Sequence, residues 1–293
     1  MEWFMATKVV VAGGDARDAW LCRFLEDQGY EVQSFGFHVE GVPPFRPGQE
    51  PLNIFIGPMT GIDANGRMET MDGEAVLTPD IFHDMREGAV VAAGLIAPSI
   101  KERAHTFGLR TIEYRNQTTF MWLNAVPTAE GAIKSAIGRS GFTLYHRPVA
   151  VLGFGRVGSV LALRLQAYGA LPEVFDRGFE KRAMASAMGF PVHPLDSKWC
   201  PPVDGVFNTI PAPILTREWM ESTDPAWIID LASKPGGLSA SIGSDPAIGL
   251  RYESYLGVPG HIAPRRAAEI IWETLASVLQ DQPGRVTPTH TRR

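Results

Sequence analysis

Three glycines at a fixed spacing carry the clearest chemical signal. Gly153-Phe154-Gly155-Arg156-Val157-Gly158 is a G-x-G-x-x-G. The pattern suits a diphosphate. The first glycine allows a tight turn, the second leaves the backbone bare for the phosphates, and the third lets a helix lie close to a sheet. A helix starting there adds free N–H groups and partial positive charge. Asp176 follows about twenty residues on, where an acid meets the ribose 2′-hydroxyl of NAD. Arg177, with Lys181 and Arg182 nearby, suits the 2′-phosphate of NADP. NADP and NAD therefore both stay open. Without a ligand, the same residues are a glycine-rich turn and a solvated helix start.

Other side chains offer binding or acid–base chemistry. Arg17, at an expected helix start, could clamp a carboxylate or simply pair with Asp15 or Asp18. Thr60 sits in a polar, glycine-rich loop, Gly57 to Gly66, beyond a strand end. Lys134 and Lys234 are further candidate cations for a carboxylate; as solvated charges they would do nothing. His261 is a proton carrier suited to neutral pH. No acid–base residue is fixed; His261 and Lys234 are the catalytic candidates. Cys22 and Cys200 have no metal or redox spacing and are expected as free thiols in a reducing cytoplasm.

The elements that must hold these groups alternate between strand and helix. Val149–Leu152 is a short apolar run, right for a buried parallel strand, and feeds the glycine turn. A helix follows to about Gly169, then a strand over 172–175. Asn208-Thr209-Ile210-Pro211 and Asp230 to Gly237, with Ser233, end two later strands and face the same crevice. The N-terminus also opens strand–helix–strand, but Gly13-Gly14-Asp15-Ala16-Arg17 lacks diphosphate spacing. We read this turn as given to another ligand. Further strands are expected at 52–56, 89–93 and 109–112, and helices at 79–87 and 98–107. A long helical pattern, 118–138, contains Pro127, which should break or kink it. Asn124 and Thr128 lie on it, as cleft-facing or as cap residues. A last helix is expected at 265–280.

The expected fold class is α/β, two Rossmann-like domains with parallel sheets, a cleft between them and interdomain helices. The boundaries expected are 1–117 for a substrate or partner domain, 118–281 for a linker helix, the NAD(P)-binding domain and the closing helix, and 282–293 for a disordered tail. The chain has 293 residues, 45% hydrophobic and 20% charged, and a net charge of −5, which argues against nucleic-acid binding. There is no signal-peptide core and no apolar run long enough to span a membrane, so a cytoplasmic location is expected. No metal is expected, and self-association is left open.

Several stretches agree with one family. GGDAR near the start, NAVPTAEGAI at 124–133, VAVLGFGRVG at 149–158, NTIPAPIL at 208–215, DLASKPGG at 230–237 and GVPGHIAPRRAAEI at 257–270 together resemble the dipicolinate synthase A chain family of spore-forming bacteria. The resemblance implies NAD(P)-dependent oxidation of a dihydrodipicolinate-type intermediate to dipicolinate during sporulation, in the mother cell. It implies the flavoprotein-like B chain of dipicolinate synthase as partner and a small dicarboxylate as substrate. It carries Gly153, Gly155 and Gly158 over as cofactor residues, and adds Asn124, Thr128, Asn208, Thr209, Ser233, Gly236 and Gly260 as motif positions. Two positions depart from the family's pattern: Asp176, where a neutral residue would favour NADP, and His261, where an apolar residue is expected.

Two other readings compete. His261-Ile262-Ala263 is similar to the segment that carries the acid–base histidine of 2-hydroxyacid dehydrogenases, but the arginine those enzymes need after the strand ending at Leu231 is missing. The chain could also bind NAD(P) without catalysis, as a scaffold for its partner.

Overall fold

The computed structural model describes residues 7–48, 51–195, 201–240, 242 and 246–280. Cys200 and the tail 282–293 lie outside them. In chain order the elements are β1 (Lys8–Ala12), α1 (Ala16–Asp27), β2 (Glu31–Phe35), β3 (Leu52–Ile56), β4 (Arg67–Thr70), β5 (Gly73–Val76), α2 (Pro79–His83), β6 (Met85–Ala93), α3 (Pro98–Thr106) and β7 (Arg110–Glu113). A 3-10 turn at Tyr114–Asn116 precedes α4 (Thr118–Ser140). Then come β8 (Pro148–Leu152), α5 (Arg156–Ala167), β9 (Leu171–Asp176), α6 (Phe179–Ala187), β10 (Val192–Pro194), β11 (Gly205–Asn208), α7 (Arg217–Thr223), β12 (Trp227–Asp230), α8 (Pro246–Gly249), β13 (Tyr252–Ser254), α9 (Val258–Ile262) and α10 (Pro264–Gln280). Two compact units divide them: residues up to 121 with those from 263 onward, and residues 122–262.

The first unit is built on a parallel sheet of order β2-β1-β3-β6-β7. Its central strands are apolar runs buried on both faces, as in Leu52–Ile56, because helices cover a parallel sheet on both sides, while the edge strands β2 and β7 are mixed and partly exposed. Each large side chain buried there, such as Phe55 or Phe82, contributes about 1.5–3 kcal/mol by leaving water. An antiparallel hairpin, β4–β5, has no counterpart among the expected elements. The helix expected over 79–87 stops at His83, and β6 already starts at Met85, because Met85 pairs with Leu52 of β3.

The closing helix corrects an expectation. The sequence groups it with the dinucleotide-binding half, yet α10 belongs to the first unit. Its apolar stripe, with Ala267, Ala268, Ile271 and Leu275 buried, is satisfied within that unit, where Trp272 meets Tyr30 edge-on at 5.0 Å. Cys22 is buried on α1 as a free thiol, and that burial pushes its pKa up to about 12.

The second unit carries a parallel sheet of order β10-β9-β8-β11-β12-β13. The order reverses at β8, whose neighbours are β9 and β11. Alternate residues of β8 serve two cores, because strand side chains alternate between faces. Val149 and Val151 join Leu161, Leu165, Phe207 and Trp227, while Ala150 and Leu152 join Phe175, Val206 and Ile228. Gly205 is required here, since a Cβ would lie 2.1 Å from the Trp227 ring.

Pro127 does not end α4, which runs unbroken from Thr118 to Ser140. Proline removes the donor that the Leu123 carbonyl would receive, but Ala125, Ala129 and Ala132 are buried around it. Burial of that face outweighs the local cost of proline. Ahead of the closing helix lies a short helix, α9, with no counterpart among the expected elements.

Candidate functional site

The strand–glycine–helix turn of the second unit is built as its spacing demands. Gly153 has φ +94°, open to glycine and strained for other residues. A Cβ on Gly158 would sit 1.9 Å from the Gly153 carbonyl oxygen, so only glycine lets α5 approach β8. Gly155 differs: nothing lies within 4 Å of where its Cβ would be. It is also the N-cap of α5 and has no side-chain cap, which leaves the first amides of a 12-residue helix without a side-chain acceptor. The backbone is thus bare where an anion would meet the helix N-terminus, and the turn fits a diphosphate. Arg156 is exposed at the helix start, Val157 is half-buried, and Phe154 is buried against Phe190, ring centroids 5.9 Å apart.

A cavity of about 240 Å³ opens beside this turn, lined by Gly153, Gly155, Asp176, Arg177, Lys181, Thr209, Ile210 and Pro211. Seven of these eight are cofactor candidates from sequence; the eighth, Lys181, stands beside them. Asp176 is buried and accepts the Phe154 N–H at 2.9 Å and the Gly178 N–H at 2.8 Å. Lys181 Nζ lies 3.8 Å from it. Arg177 and Lys181 are exposed, whereas Arg182 turns back and donates to the Asp176 and Arg177 carbonyls, both at 2.7 Å. Thr209 Oγ1 donates to the Leu152 carbonyl at 2.9 Å, tying the turn after β11 to the end of β8.

Asn208 corrects the sequence reading. Its motif suggests a contact with the cofactor, but it is fully buried, and its amide donates to the Asp230 carboxylate at 2.8 Å and to the Ile210 carbonyl at 3.1 Å. Its own oxygen accepts the Ile210 N–H at 3.0 Å. Asn208 therefore shapes the turn that lines the cavity. Asp230 also accepts the Ala232 N–H at 3.0 Å, the Gly237 N–H at 2.6 Å and the Tyr252 hydroxyl at 2.6 Å. Sequence reasoning misses Asp230 and Tyr252 as a pair. An acid closing an otherwise apolar strand is the available signal.

The remaining candidates are spread out. Ser233 and Lys234 are exposed in the loop after β12, next to a cis Lys234–Pro235 bond. Thr128 is buried and spends its hydroxyl on Asn124, which is half-buried; Lys134 is exposed further along α4. Gly260 is buried in α9. His261 is exposed on the same helix, and no hydrogen bond to a carboxylate joins it among the described residues.

Arg17 and Thr60 lie in the first unit. Thr60 is exposed in the loop after β3. The turn after β1, expected to serve another ligand, is used by the chain itself. The Gly14 N–H donates to the Glu69 carbonyl of the β4–β5 hairpin at 2.8 Å. A Cβ on Gly13 would lie 2.7 Å from that carbonyl. Arg17 is buried and holds Asp15 through Nε at 2.8 Å and Nη2 at 2.6 Å. Asp18 is buried beside them. Its Oδ2 accepts the Asp15 N–H at 2.9 Å, while its Oδ1 has no partner. Burial raises its carboxyl to about 7. Among the described residues no three metal-ligating side chains gather, and no helix is long and apolar enough to cross a membrane.

Known proteins share both the sequence and the fold. Residues 8–115 match the family described as the N-terminal domain of the dipicolinate synthase A chain. The dipicolinate synthase A chain of Bacillus subtilis (strain 168) is 27% identical over 292 residues, covering 94% of this chain and 96% of that protein. The crystal structure of its counterpart from Bacillus halodurans superposes with a TM-score of 0.79 at 27% identity, over 94% of this chain and 98% of that one. A transhydrogenase from Sinorhizobium meliloti follows at a TM-score of 0.63 and 18% identity, covering 93% of each chain, and shares the fold alone. L-alanine dehydrogenase, at 0.56 and 13% over 93% of this chain and 88% of that one, does likewise.

Proposed function

We propose that this protein, related to the dipicolinate synthase A chain along nearly its whole length, oxidises a dihydropyridine dicarboxylate to pyridine-2,6-dicarboxylate with NADP or NAD. It would act with the flavoprotein-like B chain of dipicolinate synthase, in the mother-cell cytoplasm of a sporulating bacterium. The observation that carries the reading is the bare backbone at Gly155, set at the N-terminus of α5 and beside the cavity.

The ring must lose a hydride from carbon and a proton, and aromatisation drives both losses. When bound, the nicotinamide supplies the hydride acceptor. The chain's own task is then mainly positioning. The glycine turn and the first amides of α5 hold the diphosphate. Asp176 has both carboxylate oxygens engaged by backbone amides, while Arg177 and Lys181 stand exposed at the cavity wall. That arrangement favours a 2′-phosphate, and so NADP over NAD. Lys134 and Lys234, both exposed on the second unit, are the candidate cations for the two substrate carboxylates, with Asn124 and Ser233 as further candidate contacts.

The rival built on His261 has no orienting acid: among the described residues no carboxylate is hydrogen-bonded to His261 to orient its ring and stabilise an imidazolium. The test of the main reading is reconstitution. The purified protein plus its flavoprotein-like partner, given a dihydrodipicolinate source and either nucleotide, should form dipicolinate with matching growth of reduced cofactor. Failure with both nucleotides sinks it.

A further inference from the structure

We infer that Asp230 is a positioning residue: one buried carboxylate holds two loops in register so that they can receive the nicotinamide half of the dinucleotide. The inference rests on the nucleotide reading above and goes beyond it by naming what sets the second half of that site.

The sheet order directs attention to these loops. A doubly wound sheet binds its dinucleotide across the point where the strand order reverses, one nucleotide over each half. Here the reversal lies at β8. Asp176, Arg177 and Lys181 follow β9 and belong to the adenosine half. The other half lies over the carboxyl ends of β11 and β12, which end at Asn208 and Asp230.

Asp230 is fully buried and receives four donors. Oδ1 accepts from Asn208 Nδ2 at 2.8 Å and from the Ala232 N–H at 3.0 Å. Oδ2 accepts from the Gly237 N–H and the Tyr252 hydroxyl, both at 2.6 Å. Burial, then the Asp230 carboxylate, pushes the Tyr252 phenol up, so it stays a donor. Through Asn208 the carboxylate fixes the turn to Ile210 and Pro211 on the cavity wall. Through Ala232 and Gly237 it fixes both ends of the segment that carries Ser233 and Lys234.

The two glycines of this segment serve the same node. A Cβ on Gly237 would lie 2.1 Å from Asn208 Nδ2, and one on Gly236, at φ +83°, would lie 3.1 Å from Asp230 Oδ2. They are glycines because the loop is drawn onto the carboxylate. All four partners of Asp230 are donors. An asparagine in its place must turn its NH₂ toward two of them, whichever way it flips, and an unpaired buried donor is costly. Asp230→Asn is thus a near-isosteric change that breaks the node.

The experiment compares two ligands on the full chain: reduced dinucleotide, and ADP-ribose or its 2′-phosphate, which lack nicotinamide. Titrations follow affinity and the fluorescence of the reduced nicotinamide. The wild-type protein should bind the dinucleotide about tenfold more tightly than the fragment, a difference of about 1.4 kcal/mol. Asp230→Asn should keep the fragment affinity within about twofold, lose that tenfold preference and lose the fluorescence change on binding. Tyr252→Phe, which removes one donor and leaves the carboxylate paired, should do the same in part, and carries the test if the first variant does not fold. The proposal is overturned if both variants keep the preference, or if fragment and dinucleotide weaken in equal proportion, the mark of general damage. A wild-type protein that binds neither ligand removes the nucleotide reading itself, and this inference with it. One that binds both equally overturns the inference alone.

Discussion

Asp176 Oδ2 accepts the backbone N–H of Phe154 at 2.9 Å, so the acid that closes β9 is fastened to the first residue inside the glycine turn. Its other oxygen accepts the Gly178 N–H. An acid in this place can face the ribose and repel a 2′-phosphate; here it braces two backbone turns, and the exposed charges beside it are cationic. Replacing both Arg177 and Lys181 with alanine should therefore weaken NADP by about tenfold and NAD by less than about twofold, as for partly solvated charge pairs. Affinities for the two nucleotides, measured by titration on both proteins, check this. Equal losses would contradict it.

The glycines of the turn separate into two kinds. Gly158→Ala forces a methyl to 1.9 Å from a backbone oxygen, an overlap that neither helix nor strand can relieve cheaply. It should cost about 1–3 kcal/mol or more, seen as a lower denaturation midpoint. Gly155→Val points its side chain into open space. As a poorer N-cap it should cost only about 0.5–1 kcal/mol of stability, and it should abolish nucleotide binding. If Gly155→Val destabilised the protein as much as Gly158→Ala, the ligand role of that open space would be lost.

His261 stands on α9 without a carboxylate partner among the described residues. His261→Gln should keep activity of the reconstituted pair within about twofold. A general acid–base residue contributes at least about 100-fold, so a loss of that size would restore the hydroxyacid dehydrogenase reading.

Asp18 makes stability depend on pH. Burial raises its carboxyl to about 7 in the folded chain, against about 3.9 for an unperturbed aspartate. Between those values the folded chain holds a proton that the unfolded chain has released. Stability is therefore greatest below the lower value, falls as pH rises through the folded one, and levels off above it. Asp18→Asn removes this contribution and keeps an acceptor for the Asp15 N–H. At pH 8 the variant should melt about 4 °C above the wild-type protein, with the gap closing toward pH 5. Thermal melts across that range test the sign; a variant less stable at pH 8 contradicts it.

Periodicity and glycine spacing carry most of the fold into view. The central strands of the two parallel sheets, such as β1, β3, β8 and β12, are apolar runs, and the diphosphate turn with its strand-closing acid is local in sequence, so both can be read directly. What escapes depends on tertiary partners. The β4–β5 hairpin is short and mostly polar, and its purpose shows only in tertiary partners: Glu69 accepts the Gly14 N–H, and Met68 and Ala75 are buried in the core. Pro127 reads as a break because the sequence does not display the buried alanines that hold α4 together. Asn208 reads as a ligand because its real partner, Asp230, lies on the neighbouring strand. The closing helix is misassigned from sequence because an amphipathic stripe announces burial without naming what buries it.

The central claim is that the second unit grips a nicotinamide dinucleotide at Gly155. Isothermal calorimetry of the purified protein with NADP and with NAD, each repeated in the presence of the flavoprotein-like B chain, tests it most directly. A saturable heat for at least one nucleotide, lost in Gly155→Val, is the predicted result. No heat with either nucleotide under any of these conditions contradicts the account.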